Sequence, residues 1–225
     1  MEFLTRAAIG CLLIATVAAF TGCSTYVSED ITLTPTYAPT KTHLERERSV
    51  PVAVTWRDAR KPDAPIGQYR SGSDDGMQLY RKSNLSWDFS GLETGMQQAL
   101  QTRGFALSET SQLRVLVNLT DCELILTDAS PMGTNVSTEY SLAITISVMD
   151  GDDPVYSKRY SHHRYGEIIH AMRDLRKHKS IDGKIHVEFF EPPEYDDITS
   201  DWSTTMSELI DKAVADPRFM QALTP

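Results

Sequence analysis

Cysteine is scarce in this 225-residue chain: Cys11, Cys23 and Cys122 are the only three, and no two stand at the C-x-x-C spacing of a redox or zinc site. A basic excess is also lacking. Lys and Arg number 22 against 31 Asp and Glu, a formal charge of −9, which excludes the electrostatic footprint of a nucleic-acid binder and leaves no broad basic face for anionic headgroups. The apolar run Ala7 to Phe20 is too short to span a bilayer, because fourteen helical residues rise about 21 Å against a hydrocarbon core of roughly 30 Å. G-x-S-x-G, H-E-x-x-H, Walker A and G-x-G-x-x-G spacings are missing as well, and with them the common hydrolase, zincin and nucleotide signatures.

What is there begins at the N-terminus. Met1 to Arg6 is cationic, Ala7 to Phe20 is apolar and charge-free, and small residues follow, the layout of an export signal. Phe20-Thr21-Gly22-Cys23 resembles the bacterial lipobox, with Phe20 standing where Leu, Val or Ile is usual. The expectation is therefore cleavage after residue 22, with diacylglycerol and an N-acyl chain carried covalently on Cys23 and no other cofactor. Three acyl chains at about 0.8 kcal/mol per buried methylene make such an anchor effectively permanent. Ser24 rather than Asp after the cysteine implies, by the same resemblance, the periplasmic face of the outer membrane. Cys11 then leaves with the signal, Cys23 is acylated, and Cys122 in its apolar run reads as a core thiol. Asn84, Asn118 and Asn135 open glycosylation sequons, which behind a lipobox are chance matches.

About 200 residues remain, enough for one domain with a core that needs no disulfide. Residues 23–49, rich in Thr, Pro, Ser and charge, read as a lipidated tether, although Ile31-Thr32-Leu33 is a candidate strand. Residues 50–225 form the domain. Val50, Val52, Val54 and Trp56 alternate as a half-buried strand, and Arg57 to Asn84 is a long polar loop with a short strand near Gly67 to Arg70. Phe89, Leu92, Met96, Ala99 and Leu100 recur at helical spacing, with Ser90-Gly91-Leu92-Glu93 as a capping box and Gly104-Phe105 as the stop. Leu113 to Leu119 alternates and Leu124 to Leu126 extends or restarts that strand; Tyr140 to Val148 and Val155 to Tyr165 make a hairpin around Asp150 to Pro154. Ile168, Ile169, Met172 and Leu175 predict a helix within Glu167 to His178, followed by a short strand at Lys184 to Phe190. Trp202 to Val214 is a second amphipathic helix starting near Ser200 or Asp201, and Asp216-Pro217 opens a short terminal one. The fold class expected is α+β: a single, mostly antiparallel sheet with two main helices on one face.

In order, Val52 to Arg60, Ile66-Gly67, Leu92 to Phe105, Leu113 to Val117, Tyr140 to Val148, Lys158-Arg159-Tyr160 and Asp216 to Met220 resemble the YajG-type lipoproteins. The resemblance covers most of Val50 to Leu223 and implies an outer-membrane lipoprotein with an α+β domain and no assigned enzymatic activity. It transfers no catalytic residue. The chain departs from the pattern at about residues 167–197, an insertion before the final helix.

That insertion carries the candidate contact residues. Arg173, Arg176, Lys177 and Lys179 form a basic stretch, and Glu191, Glu194, Asp196 and Asp197 an acidic run around Pro192-Pro193 that lacks the Gly-punctuated spacing of a calcium loop. The histidines His162, His163, His170, His178 and His186 invite a metal reading. Their spacing opposes it: His162 and His163 point to opposite faces of a strand, and on a helix His170 and His178 stand about 80° apart among cations. No metal site and no catalytic residue are assigned. The function expected is a non-enzymatic interaction or accessory module in the envelope, docking a protein partner through the insertion or the Arg57 to Asn84 loop. A lipid or lipopolysaccharide carrier is the alternative, and a metal-dependent enzyme ranks last.

Overall fold

Three long strands carry the alternation seen along residues 113–165. In a computed structural model of the chain, described for residues 31–39, 50–62, 64–70, 77–79, 85–128, 136–169, 175–179, 185–189 and 195–224, they form an antiparallel meander. These are β7 (Leu113–Asp128), β8 (Val136–Asp150) and β9 (Asp153–Ile169), with Leu113 opposite Asp150 and Asp150 opposite Asp153. β7 is one strand, interrupted by a register shift between Leu119 and Asp121. The extra residue, Thr120, changes the parity of burial: Leu113, Val115, Val117 and Leu119 face the core before it, Cys122, Leu124 and Leu126 after it.

The other edge of β7 is shared. Its first half pairs in parallel with β2 (Pro51–Asp58) and its second half with β3 (Gly67–Arg70), whose outer side takes β4 (Met77–Leu79) antiparallel. β6 (Ala106–Leu107) adds a short parallel strand to Pro51 and Val52. The fold is thus α+β with a mixed, mainly antiparallel sheet.

Among the described residues three helices cover one face. α1 (Gly91–Thr102) buries Leu92, Met96, Ala99 and Leu100, and ends where Gly104, at φ 85°, and buried Phe105 return N–H groups to the carbonyls of Gln101 and Leu100. The expected capping box does not form at its start. The Ser90 side chain makes no cap, and Glu93 reaches sideways to accept from the Trp56 N–H at 3.3 Å, because the edge of β2 offers its carboxylate a donor. α2 (Tyr195–Val214) starts five residues before Ser200 and buries Ile198, Trp202, Met206, Leu209, Ile210 and Ala213. α3 (Pro217–Ala222) has Pro217 in its first turn and the Asp216 side chain accepting from Arg218 N, as the sequence predicted. Among the described residues no helix is long and apolar enough to cross a membrane.

Residues 31–39 lie on the domain. β1 (Ile31–Leu33) pairs in parallel with β5 (Leu85–Trp87), and Leu33 is buried. Beyond it the chain follows α2 turn by turn: Thr36 N donates to Ser203 Oγ at 3.0 Å, Ala38 N to Ser207 Oγ at 3.0 Å, and Tyr37 OH to Asp211 Oδ1 at 2.8 Å. Ser203, Ser207 and Asp211 stand four apart, so they line one side of the helix. Burial and the Asp211 bond push the Tyr37 hydroxyl well above the usual phenol range.

Candidate functional site

The helix expected within Glu167 to His178 is not formed. β9 continues to Ile169, and Leu175–Lys179 (β10) pairs antiparallel with Ile185–Phe189 (β11), so Ile168, Ile169 and Leu175 fall on two strand segments, and Met172 lies outside the described residues. The short strand expected at Lys184 to Phe190 is β11. β11 lies against β4, which belongs to the long Arg57 to Asn84 segment. The two stretches singled out as partner-contact candidates therefore meet at one end of the molecule, around the C-terminal half of β7.

In that hairpin Arg176, Lys177 and Lys179 stand opposite Glu188, Val187 and Ile185, and His178 stands opposite His186. This replaces the helical placement of His178. Asp196 and Asp197 fall in the first turn of α2, where carboxylates complement the helix dipole, and Asp197 is exposed. Cys23, Arg173, Glu191, Glu194 and His170 lie outside the described residues. Among the described residues no three His, Cys, Asp or Glu side chains gather as metal ligands.

Beneath this end sits an aromatic cluster that the sequence placed only as core. Trp202 meets Trp87 at 5.6 Å, and Phe89 and Tyr140 edge-on at 5.3 and 5.1 Å between ring centroids. Gly166 of β9 closes it: a Cβ there would lie 2.4 Å from Asp201 Oδ2, Thr138 Oγ1 and the Tyr140 ring. Asp201, almost buried, faces Arg164 Nε at 3.4 Å, and Glu208 on the next turns of α2 lies 2.6 Å from His162 Nε2. His163 points to the other sheet face, 3.4 Å from Glu139, so the adjacent histidines do oppose each other as the strand period requires. Burial raises the Tyr140 hydroxyl above the ordinary phenol range. The arrangement ties β9 to α2 by paired charges over packed rings, which fixes the platform from which the hairpins project.

A second polar cluster holds the opposite end. Asp216 Oδ2 accepts from Lys158 Nζ at 2.6 Å and Tyr160 OH at 2.9 Å, and Tyr156 and Tyr160 share a hydroxyl bond of 2.5 Å. The Lys158 bond holds the Asp216 carboxyl well below the usual range, and burial followed by the Tyr156 and Asp216 bonds raises the Tyr160 hydroxyl. Sequence reading found Asp216 as a cap but not these partners, which lie 56 to 60 residues away.

A family model described as "Uncharacterized lipoprotein" matches residues 36–182. No curated protein matches the chain. Among solved structures, the chain is similar to protein XCC0632 from Xanthomonas campestris at 12% identity and TM-score 0.48, covering 82% of this chain and 92% of that one. It is also similar to a structure described as a neuraminyllactose-binding hemagglutinin homolog from Helicobacter pylori, at 9% identity and TM-score 0.41, covering 83% and 96%.

Proposed function

Because the chain belongs to this family of uncharacterized lipoproteins, the YajG family, we propose that it is exported, cut before Cys23, acylated there, and held at the periplasmic face of the outer membrane as a non-enzymatic docking module. The anchor carries diacylglycerol and an N-acyl chain, and the domain presents its hairpin end to an envelope protein. One observation carries the docking surface: β11 of the insertion lies against β4 of the long loop, so two excursions from the core pattern come together. β10 contributes Arg176, Lys177 and Lys179 to a chain of net charge −9, which favours an acidic patch on the partner. A carrier of lipid would need apolar space between helices and sheet. Leu92, Met96, Leu100, Trp202, Met206 and Ile210 are instead fully buried there, so the carrier reading takes second place.

The test is cross-linking in intact cells with the full chain and with a chain whose residues 175–189 are replaced by a Gly-Ser linker, both checked for equal thermal unfolding. The linker chain is expected to lose its protein adducts. Identical adducts from both chains would contradict the assigned surface.

A further inference from the structure

β2 presents an open edge of definite polarity. Backbone groups alternate sides along a strand, and three bonds fix which side is which. Ala59 N donates to Leu119 O at 2.9 Å, so the odd-numbered residues face β7. Ser108 N donates to Val52 O at 3.0 Å and Trp56 N to Glu93 Oε2 at 3.3 Å, so the even-numbered residues face away from β7. β6 covers that side only at Pro51 and Val52. From Val54 onward, among the described residues, no strand pairs with it.

The space beside this edge is a cavity of about 310 Å³ between β2 and α1, lined by Val54, Thr55, Glu93, Gln97, Leu107 and Glu109 among others. Its two charged lining groups, Glu93 and Glu109, are both acids. Glu93 stands in for a missing strand, since its carboxylate caps the Trp56 N–H at 3.3 Å and takes a second long bond of 3.4 Å from Gln97 Nε2. Bonds of that length are readily exchanged.

We propose that the β2 edge at Val54 to Trp56 is a strand-addition site for a partner's extended peptide carrying a central Lys or Arg. Carbonyls of the incoming strand take the Val54 and Trp56 N–H groups, a partner N–H meets the Val54 carbonyl, and the released Glu93 carboxylate pairs with the incoming cation while Glu109 flanks it. Main-chain bonds give the affinity and the two acids give the selectivity. The slot is short because Ser108 and β6 close its lower end, which limits edge-to-edge pairing of whole strands. It lies beside the first half of β7, away from the hairpin end, and stands independently of the function proposed above.

The test titrates the full chain, in mild detergent, with three acetylated and amidated nonapeptides of alternating threonine and valine that differ only in a central Lys, Ala or Glu. Backbone amide exchange is read by NMR alongside affinity. The Lys peptide is expected to bind at least tenfold tighter than the Ala peptide, the Glu peptide weakest, with exchange slowed at Val54 and Trp56. Glu93→Lys with Glu109→Lys inverts the order. Equal binding of the Lys and Glu peptides, or unchanged exchange at Val54 and Trp56 with all three, overturns the proposal. Slowed exchange that grows with protein concentration in the absence of peptide identifies a second copy as the occupant and overturns it equally.

Discussion

Asp216 shows how much one side chain joins. It caps α3, accepts from Lys158 and Tyr160, and so ties the last helix to β9. Its carboxyl is depressed in the folded chain, so the folded state holds fewer protons than the unfolded one as pH falls through the ordinary carboxylate value of about 3.9. The stabilisation from this group is complete above that value and is lost as pH falls towards the depressed one. Asp216→Ala is expected to cost about 1–2 kcal/mol at neutral pH and to flatten the acid limb of the stability curve, measured by urea unfolding from pH 7 to pH 2. Gly166→Ala is a packing test: the new methyl meets Asp201, Thr138 and Tyr140, and a loss of about 1–3 kcal/mol is expected in the same assay.

Among elements, the strands and helices with a clean local period were legible: Val52 to Trp56, Tyr140 to Val148, the α1 apolar stripe and the Gly104 stop each depend on neighbours a few residues away. The misreadings have a different cause. Ile168, Ile169, Met172 and Leu175 fit a helical wheel, yet β10 pairs with β11, which in turn lies against β4, about a hundred residues earlier in the chain. Docking of residues 36–38 on Ser203, Ser207 and Asp211 was hidden for the same reason; its one local trace is a polar stripe at four-residue spacing on a helix. The bulge at Thr120 was half legible, in the switch from Leu113-Val115-Val117-Leu119 to Leu124-Leu126. Deleting Thr120 removes the bulge and leaves Leu119 opposite Ile144 and Asp121 opposite Ala143, so Cys122, Leu124 and Leu126 keep the core face. Cooperative unfolding by circular dichroism is expected to survive, with a loss of about 1–3 kcal/mol from the altered strand twist and the lost Thr120 bond to the Ala143 carbonyl.

At the scale of the whole molecule, helices cover one sheet face and leave the other, carrying residues such as Ser141, Thr145, Ser147 and Ser157, to solvent or partial burial. At the hairpin end only β11 was legible from the sequence, and the family match ends at residue 182, with β10 inside it and β11 beyond it. The anchor proposed at Cys23 makes membrane attachment independent of the domain. Cys23→Ser is expected to move the protein from the membrane pellet to the soluble fraction after cell lysis, with its unfolding transition unchanged; retention in the pellet would contradict lipid anchoring. The account as a whole is tested most directly by native mass spectrometry of the protein extracted from membranes in mild detergent. A polypeptide beginning at Cys23, bearing the mass of diacylglycerol plus one acyl chain and carrying a protein subunit that is absent from the 175–189 linker variant, is the result predicted; an unacylated chain with a different start, or a subunit retained by the variant, would contradict it.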